Sequence, residues 1–290
     1  MICIDSREFK FSNTCITLGK FDGIHKGHML LINKAVEYSA SHPDVSSVLF
    51  TFNMPRKSIY TGEQKREITS QCGIDIYVEY PFDEKTMNMS ANSFIKDVLV
   101  SMAGVKAIVV GADFRFGHNR EGDVDMLKKY APVYGYEIEV CEKVADNGQI
   151  VSSTAIKEYL SKGDICNASK LLGRDYSIEG KVSSGKQLGR TIGFPTANII
   201  PDDSIIMPRF GVYVSEVMVD GIVRPGVTNI GCRPTVNGDN VSVETFIKNF
   251  EEDIYGKKIN VMLKKFIRPE KKFSNVDELK RQIMIDKDFA

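Results

Sequence analysis

The sequence predicts an α/β domain built on a parallel sheet, followed by a mostly antiparallel β domain that we expect to form a barrel. In the first half of the chain, short apolar runs alternate with stretches of helical spacing, a pattern typical of a parallel sheet with helical crossovers. In the second half, strand patterns follow one another without long helices between them. The length of 290 residues agrees with two domains of roughly 150 residues each.

Strands and helices alternate along the first domain. The strand predicted at 106–110 is continuously apolar from Ala107 onward, as in a strand covered on both faces of its sheet. We therefore expect a parallel, Rossmann-like sheet, whose ligands bind at the carboxyl ends of its strands. The predicted strands span 15–18, 47–52, 74–78, 106–110 and 136–140, and the predicted helices span 27–41, 90–102 and 123–134.

The second domain is predicted from its strands and their turns. A strand over 211–219 leads into Asp220-Gly221, a two-residue hairpin signal. The segment 241–247 alternates between apolar and polar residues, as a strand with one buried face does, and 258–267 is a further strand. These patterns favour an antiparallel barrel.

The chain ends in a predicted helix. Ser274 is its expected cap, and acidic residues occupy its first turn, where the helix dipole favours negative charge. We place the domains at residues 1–157 and 174–290 and join them by a short helical linker at 158–173.

Charge and composition exclude several kinds of partner. Lysine and arginine number 38, and aspartate and glutamate also number 38, so the formal net charge is zero. A nucleic-acid partner needs a basic surface, so we expect none. No stretch approaches the ~18 apolar residues of a membrane helix, the first residues carry no secretory signal, and the cysteines form no CxxC pair. We expect a cytoplasmic protein with small-molecule partners and no membrane partner, and the sequence leaves self-association open.

The segment 17–28, with the sequence TLGKFDGIHKGH, leaves a predicted strand and enters a predicted helix. Its glycines let the backbone turn tightly, and free N–H groups at the positive helix end form an anion site. His25 and His28 can donate hydrogen bonds to phosphate oxygens there. This arrangement favours nucleotidyl transfer, in which the protein positions the α-phosphate and stabilises its charge. The alternative is a polar loop with two surface histidines.

Two further segments can contribute to such a site. The loop after the strand at 106–110 places aromatic rings beside Asp113 and Arg115. Together these side chains can hold a flat ring system and its phosphate. A well-packed loop is the alternative. The segment 152–157 places three hydroxyls at a helix start, with Lys157 one turn later, and can form a second phosphate cradle. There the alternative is an ordinary N-cap.

The second domain holds a smaller set of polar candidates. Thr196 and Asn198 carry oxygen ligands two residues apart, so both side chains point the same way from an extended segment. Magnesium prefers few protein oxygens together with phosphate and water, and this pair fits that preference. Glu244 lies mid-strand on the face opposite Val243. Taken alone, each of these features has a simpler explanation. The segment of Thr196 and Asn198 can be a turn-rich barrel corner, and Glu244 a solvated side chain. Arg268, in the segment that follows the last predicted strand, can belong to a surface turn.

Three motifs of the first domain resemble the adenylyltransferase module of the bacterial bifunctional riboflavin kinase/FMN adenylyltransferase (FAD synthetase) family. They are GKFDGIHKGH at 19–28, GADFRFG at 111–117 and SSTAIK at 152–157. The resemblance implies that FMN and ATP give FAD and pyrophosphate. It implies an ATP site at Gly19, Phe21, Asp22, Gly23, His25 and His28, a flavin site at Asp113, Phe114, Arg115 and Phe116, and a triphosphate site at Ser152, Ser153, Thr154 and Lys157.

Three motifs of the second domain are similar to the riboflavin kinase module of the same family. They are GRTIGFPTAN at 189–198, VETFI at 243–247 and FIRPE at 266–270. The resemblance implies that riboflavin and ATP give FMN and ADP, with Mg²⁺ as cofactor. It implies that Thr196 and Asn198 bind Mg-ATP, that Glu244 is the general base, that Gly189, Arg190 and Gly193 contact ATP, and that Arg268 lies near the flavin.

The chain departs from the family pattern at several positions. Lys20 stands where Asn is usual, TFNMPR at 51–56 replaces a more usual TFDPHP, and Phe246 stands where His is common. Lys157 replaces Arg, which keeps the charge but loses bidentate geometry. An enzyme with one module silenced is therefore an alternative. A nucleotidyltransferase of the same fold acting on another substrate and a non-catalytic flavin-binding module are two more.

Overall fold

The computed structural model describes residues 1–183, 195–235, 238–271 and 273–289. The chain divides into two compact units, Met1–Ser152 and Ser153–Ala290. This division falls inside the segment 152–157, which the sequence assigns to the first domain, and the predicted boundaries and linker stay a prediction. Among the described residues, no helix combines the length and the apolar character needed to cross a membrane.

A parallel sheet forms the centre of the first unit. The strands are β1 Ile2–Ile4, β2 Thr14–Leu18, β3 Ser46–Asn53, β4 Ile76–Pro81, β5 Val105–Gly111, β6 Arg115–Phe116, β7 Gly122–Asp123, β8 Glu137–Cys141, β9 Ala145–Asp146 and β10 Gln149–Ile150. Six of them pair in the order β1-β4-β3-β2-β5-β8, and every pair is parallel. The predicted Rossmann-like sheet is confirmed.

Helices cover both faces of this sheet. They are α1 Lys26–Ser41, α2 Gly62–Ser70, α3 Glu84–Met87, α4 Ala91–Ser93, which continues as a π-helix over Phe94–Met102, a 3₁₀ turn at His118–Arg120, and α5 Val124–Tyr134. Ile16 and Leu18 of β2 pack with the π-helix residue Leu99 on one face, whereas Cys15 packs with Leu31 of α1 on the other. All five residues of β2 are buried, as a strand covered on both faces requires.

Three features of the first unit differ from the sequence prediction. The strand predicted at 74–78 begins at Ile76, because Asp75 turns its carboxylate back to accept hydrogen bonds from Ser47. The helix predicted at 90–102 is mostly a π-helix, whose apolar spacing resembles that of an α-helix. Helix α2 was not predicted although its N-terminus carries a capping box between Thr61 and Gln64.

A closed antiparallel barrel forms most of the second unit. Its strands are β11 Ser177–Ser183, β12 Thr196–Ile199, β13 Gly211–Val219, β14 Ile222–Thr235, β15 Gly238–Ile247 and β16 Lys258–Arg268, and its helices are α6 Ser153–Lys162, α7 Ile165–Leu172 and α8 Val276–Lys287. The barrel closes in the order β11-β12-β15-β14-β13-β16. The predicted barrel is therefore confirmed.

The interior of the barrel holds a short chain of hydroxyls among its apolar side chains. The Ser215 hydroxyl bonds to that of Thr228 at 2.8 Å, and Thr228 bonds to Thr245 at 2.9 Å. All three residues are buried, so each hydroxyl needs such a partner. Because side chains alternate along a strand, Glu244 stands on the face opposite Thr245, as predicted.

The final helix is capped one residue later than predicted. The Asn275 side chain, not that of Ser274, accepts a hydrogen bond from the backbone N–H of Glu278 at 2.9 Å. Ser274 instead donates its own N–H to the Glu278 carboxylate at 3.1 Å. Both residue types are good caps, so the sequence alone did not separate them.

Candidate active sites

The loop between β2 and α1 is held in an unusual backbone conformation by its buried side chains. Phe21 and Ile24 have positive φ values of 44° and 41°, as does Gly23 at 83°. Left-handed conformations are costly for bulky residues and persist only where packing fixes them. Both Phe21 and Ile24 are fully buried, against a core that includes Leu49. The fixed loop determines where α1 begins.

Two histidines stack at the start of α1. His25 is the N-cap, and its Nδ1 accepts a hydrogen bond from the backbone N–H of His28 at 3.3 Å. The two imidazole rings lie 3.6 Å apart, centroid to centroid, with 13° between their planes. His25 is buried and His28 is half-buried. The alternative of a polar loop with two surface histidines therefore does not describe this site. With Nδ1 of His25 accepting, a neutral ring carries its proton on Nε2, which is then a donor.

Gly27 gives this arrangement the space it needs. A Cβ at that position would lie 3.2 Å from the His25 ring and 3.9 Å from the carbonyl oxygen of Val151. The hairpin that ends before Val151 is also tied to α1, because Lys26 forms an ion pair of 2.5 Å with Asp146. The histidine loop and the end of the first unit therefore lie side by side.

Other predicted residues of the first unit make contacts within the protein. The Asp22 carboxylate accepts a hydrogen bond from the N–H of Ile59 at 2.7 Å, which holds the segment after β3. Asp113 is exposed and pairs with Lys143 at 2.9 Å. The Thr51 hydroxyl donates to the carbonyl oxygen of Lys20 at 3.0 Å, which brings the carboxyl end of β3 to the loop.

The aromatic loop after β5 divides between surface and core. Phe114 and Phe116 stack with centroids 5.6 Å apart. Phe116 is buried in the core cluster, as the packed-loop alternative expects, whereas Phe114 is partly buried. Arg115 is exposed and bonds to Asp123 at 2.9 Å. The assignment of this loop to the flavin stays a prediction.

The triphosphate segment lies at the start of α6. That helix begins at Ser153, so Ser152 directly precedes it and Lys157 lies one turn in, as the sequence predicts. Thr154 is exposed, and the other predicted residues of the segment are half-buried. Its binding role also stays a prediction.

A polar row crosses three strands of the barrel. Asn198 of β12 is directly opposite Glu244 of β15, and Glu244 is directly opposite Asn229 of β14. Directly opposite residues of antiparallel strands have their Cβ atoms about 5 Å apart on the same face. Thr196 joins this face two residues along β12. The structure therefore brings together Thr196, Asn198 and Glu244, which the sequence singled out from two distant segments.

The comparisons with known proteins cover both halves of the chain. Residues 8–155 match a family model described as FAD synthetase, and residues 172–290 match one described as riboflavin kinase. A relative from Escherichia coli K12, named bifunctional riboflavin kinase/FMN adenylyltransferase, is 38% identical over 93% of this chain and 90% of its own length. One of the same name from Listeria monocytogenes is 32% identical over 98% of this chain and 93% of its own length. The chain belongs to the bifunctional riboflavin kinase/FMN adenylyltransferase family.

A solved structure has the same fold as this chain. It comes from Streptococcus pneumoniae, is described as a macrolide-efflux protein, and superposes with a TM-score of 0.88 at 29% sequence identity. It covers 99% of this chain, and the match extends over 97% of its own chain. The architecture of both units is thus shared with a protein of known structure.

The oxygen donors of the polar row suit the magnesium ion that the family resemblance implies. A hydroxyl, an amide and a carboxylate lie on one face, and Asn198 is buried. Magnesium takes such hard oxygens in small number, with phosphate and water completing its shell. The described residues hold no group of three His, Cys, Asp or Glu placed to bind a metal by themselves. Gly189, Arg190 and Gly193 lie outside the described residues.

Arg268 is bound to the last helix. Its guanidinium donates to the Asp286 carboxylate from Nε at 3.1 and 3.2 Å and from Nη2 at 2.6 Å. Asp286 is buried, and Gln282 also donates to it, at 3.0 Å. The predicted proximity of Arg268 to the flavin stays a prediction. The ion pair shows that Arg268 also attaches the last helix to the end of β16, which the sequence did not indicate.

Loss of this ion pair should destabilise the second unit. We expect Asp286→Ala to lower the free energy of unfolding by roughly 3 kcal/mol, because it leaves a largely buried guanidinium without its carboxylate. Thermal unfolding followed by circular dichroism measures the effect, with Asp288→Ala as the control from the exposed end of the same helix. Equal melting temperatures for the two variants would show that the pair contributes nothing.

Sequence reasoning missed two groups of residues. Lys65 and Arg66 of α2 bind the buried Glu79 of β4, at 3.6 and 2.7 Å. In the barrel, Asn229 and Glu270 join the polar row without having been assigned a role. Glu270 lies in the motif at 266–270, but the motif did not indicate a role for it. The other residues carry no local motif, and strand register or helix packing brings them together.

Proposed function

We propose that the two units of the chain carry out consecutive steps, the barrel as kinase and the parallel-sheet unit as adenylyltransferase. The protein is a bifunctional enzyme of flavin cofactor synthesis. It transfers a phosphoryl group from ATP to riboflavin, which gives FMN and ADP, and an adenylyl group from ATP to FMN, which gives FAD and pyrophosphate. The observation that carries this is that each half of the chain matches its own family model.

In the barrel, Glu244 acts as the general base. The ribityl 5′-hydroxyl gives its proton to the Glu244 carboxylate while its oxygen attacks the γ-phosphorus of ATP, and ADP leaves from the opposite side. Thr196 and Asn198 hold the magnesium complex of ATP, in which the ion offsets phosphate charge when bound. The cross-strand register supports this, because it sets the proposed base beside the proposed ligand Asn198.

In the first unit, the work is positioning and charge stabilisation. A phosphate oxygen of FMN is already ionised near neutral pH, so its attack on the α-phosphorus of ATP needs no general base. The bond from the α-phosphorus to the bridging oxygen breaks, and pyrophosphate leaves. His25 and His28 donate to phosphate oxygens, and the N–H groups at the start of α1 add a positive field. The stacked rings at that helix start support this assignment.

The remaining predictions are part of the same proposal. The hydroxyls and Lys157 of the segment 152–157 bind triphosphate, the loop after β5 binds flavin, and the functional domains span 1–157 and 174–290. The enzyme acts on small molecules in the cytoplasm, without nucleic acid or a membrane.

Product analysis tests this function directly. We expect the purified chain, given riboflavin, ATP and Mg²⁺, to form first FMN and then FAD, as separated by chromatography. A parallel reaction with FMN and ATP should release pyrophosphate. FMN without FAD would favour the alternative in which the first module is silent, and flavin binding without ATP turnover would favour a non-catalytic module.

A further inference from the structure

We propose that Glu270 is a positioning residue of the kinase site, which holds the Asn229 amide beside Glu244. The inference rests on the proposed role of Glu244 as the general base. No part of it depends on the adenylyltransferase unit.

Glu270 reaches the polar row from the segment that follows β16. Its carboxylate lies directly over the α-carbon of Gly231 in β14, where a Cβ would overlap Oε1, Oε2 and Cδ of Glu270. Gly231 and Asn229 are two residues apart in this strand and therefore share one face. That face is the one on which Asn229 pairs with Glu244. A glycine at 231 thus provides the space in which the carboxylate comes next to the row.

Two hydrogen bonds hold the carboxylate there. The Asn229 side chain and the backbone N–H of Cys232 both donate to Glu270. Burial raises the pKa of Glu270, and the nearby charge of Glu244 raises it further, whereas the two hydrogen bonds act in the opposite direction. A second carboxylate beside a like charge is unfavourable by itself, so the two donors are what keep it in this place.

The hydrogen bond to Glu270 orients the Asn229 amide. Only the amide nitrogen can donate to a carboxylate, so the nitrogen of Asn229 faces Glu270. Under this proposal, the second N–H of the same amide is the donor to Glu244, which lies directly opposite Asn229 in β15. Held in this way, the Glu244 carboxylate keeps one geometry toward the substrate hydroxyl, which a general base requires before its pKa matters.

Two independent substitutions test the role of Glu270. Glu270→Ala removes the acceptor, and Gly231→Ala displaces it, because the added methyl group occupies the position of the carboxylate. We expect each to lower the kcat of riboflavin phosphorylation roughly 10- to 100-fold, the usual loss for a residue that orients an active-site group, with little change in the KM for ATP. Glu270→Gln should retain most of the activity, because its amide oxygen accepts the same two hydrogen bonds.

The double variant and the second activity make the test decisive. If both substitutions act through one carboxylate, Gly231→Ala combined with Glu270→Ala is no worse than either alone. FAD formation from supplied FMN takes place in the other unit and should be unchanged, and an unchanged circular dichroism spectrum and melting temperature show that the barrel is folded. Glu251→Ala, which removes an exposed carboxylate from the barrel unit, is the charge control.

Several results would overturn the inference. Normal kcat in both single variants, additive losses in the double variant, or equal losses in Glu270→Gln and Glu270→Ala would each do so. The variant Glu244→Gln separates this failure from failure of the proposed function. If Glu244→Gln is active, the assigned base is wrong and the inference falls with it. If it is inactive while the Glu270 and Gly231 variants are normal, only the inference falls.

Discussion

Glu244→Gln is expected to abolish riboflavin phosphorylation while the same protein continues to make FAD from supplied FMN. Glutamine has nearly the shape of glutamate and keeps an oxygen acceptor, but it cannot take up the hydroxyl proton. Loss of a general base costs typically ~10²- to 10⁴-fold in rate. Because Glu244 is half-buried at the centre of the row between Asn198 and Asn229, the substitution should leave the barrel folded.

The measurement is the kcat for FMN formation, with pyrophosphate release from FMN and ATP determined on the same preparation. Glu251→Ala serves as the control for loss of one negative charge from the barrel unit. An active Glu244→Gln enzyme would mean that the hydroxyl proton goes elsewhere. Loss of both activities in a protein with an unchanged circular dichroism spectrum would contradict the assignment of the two steps to separate sites.

The sequence predicted the sheet and the barrel because hydrophobic period and turn residues are local properties. The strand at Gly211–Val219 was predicted with the bounds it has, and its alternating burial shows why. The closure of the barrel was expected only from the run of strands. Its order is set by pairings such as that of β12 with β15, in which residues 196–199 meet residues 243–246. No local pattern encodes such a pairing.

The residues of the candidate sites also differ in whether a local pattern predicts them. His25 and His28 can be found from the sequence because they lie three residues apart in one short motif. The positive φ values of Phe21 and Ile24 cannot, since bulky residues seldom adopt them. Glu244 read alone looks like a solvated surface residue. Only the register with Asn198 and Asn229 places it among polar neighbours. The position of Glu270 is still harder to predict from the sequence, since it depends on the space that Gly231 leaves in another strand.

His28→Ala is expected to abolish FAD formation and to leave FMN formation intact. Removing one hydrogen-bond donor to a developing phosphate charge costs about 10²- to 10³-fold in kcat, by analogy with oxyanion-hole donors. His28 is a cleaner test than His25. The His25 ring caps α1 by accepting the backbone N–H of residue 28, so its removal would also lose the cap, at about 1 kcal/mol. The alanine variant at 28 keeps that N–H and with it the cap.

A matched control lies at the other end of the same helix. His42 is the C-cap residue of α1, is exposed, and stacks on Tyr38, so His42→Ala removes an imidazole from the helix without reaching the loop. Pyrophosphate release from FMN and ATP should be lost in His28→Ala and kept in His42→Ala, and both should phosphorylate riboflavin normally. Full FAD formation by His28→Ala would leave the positive end of α1 as the phosphate site and remove the stacked imidazoles from the mechanism.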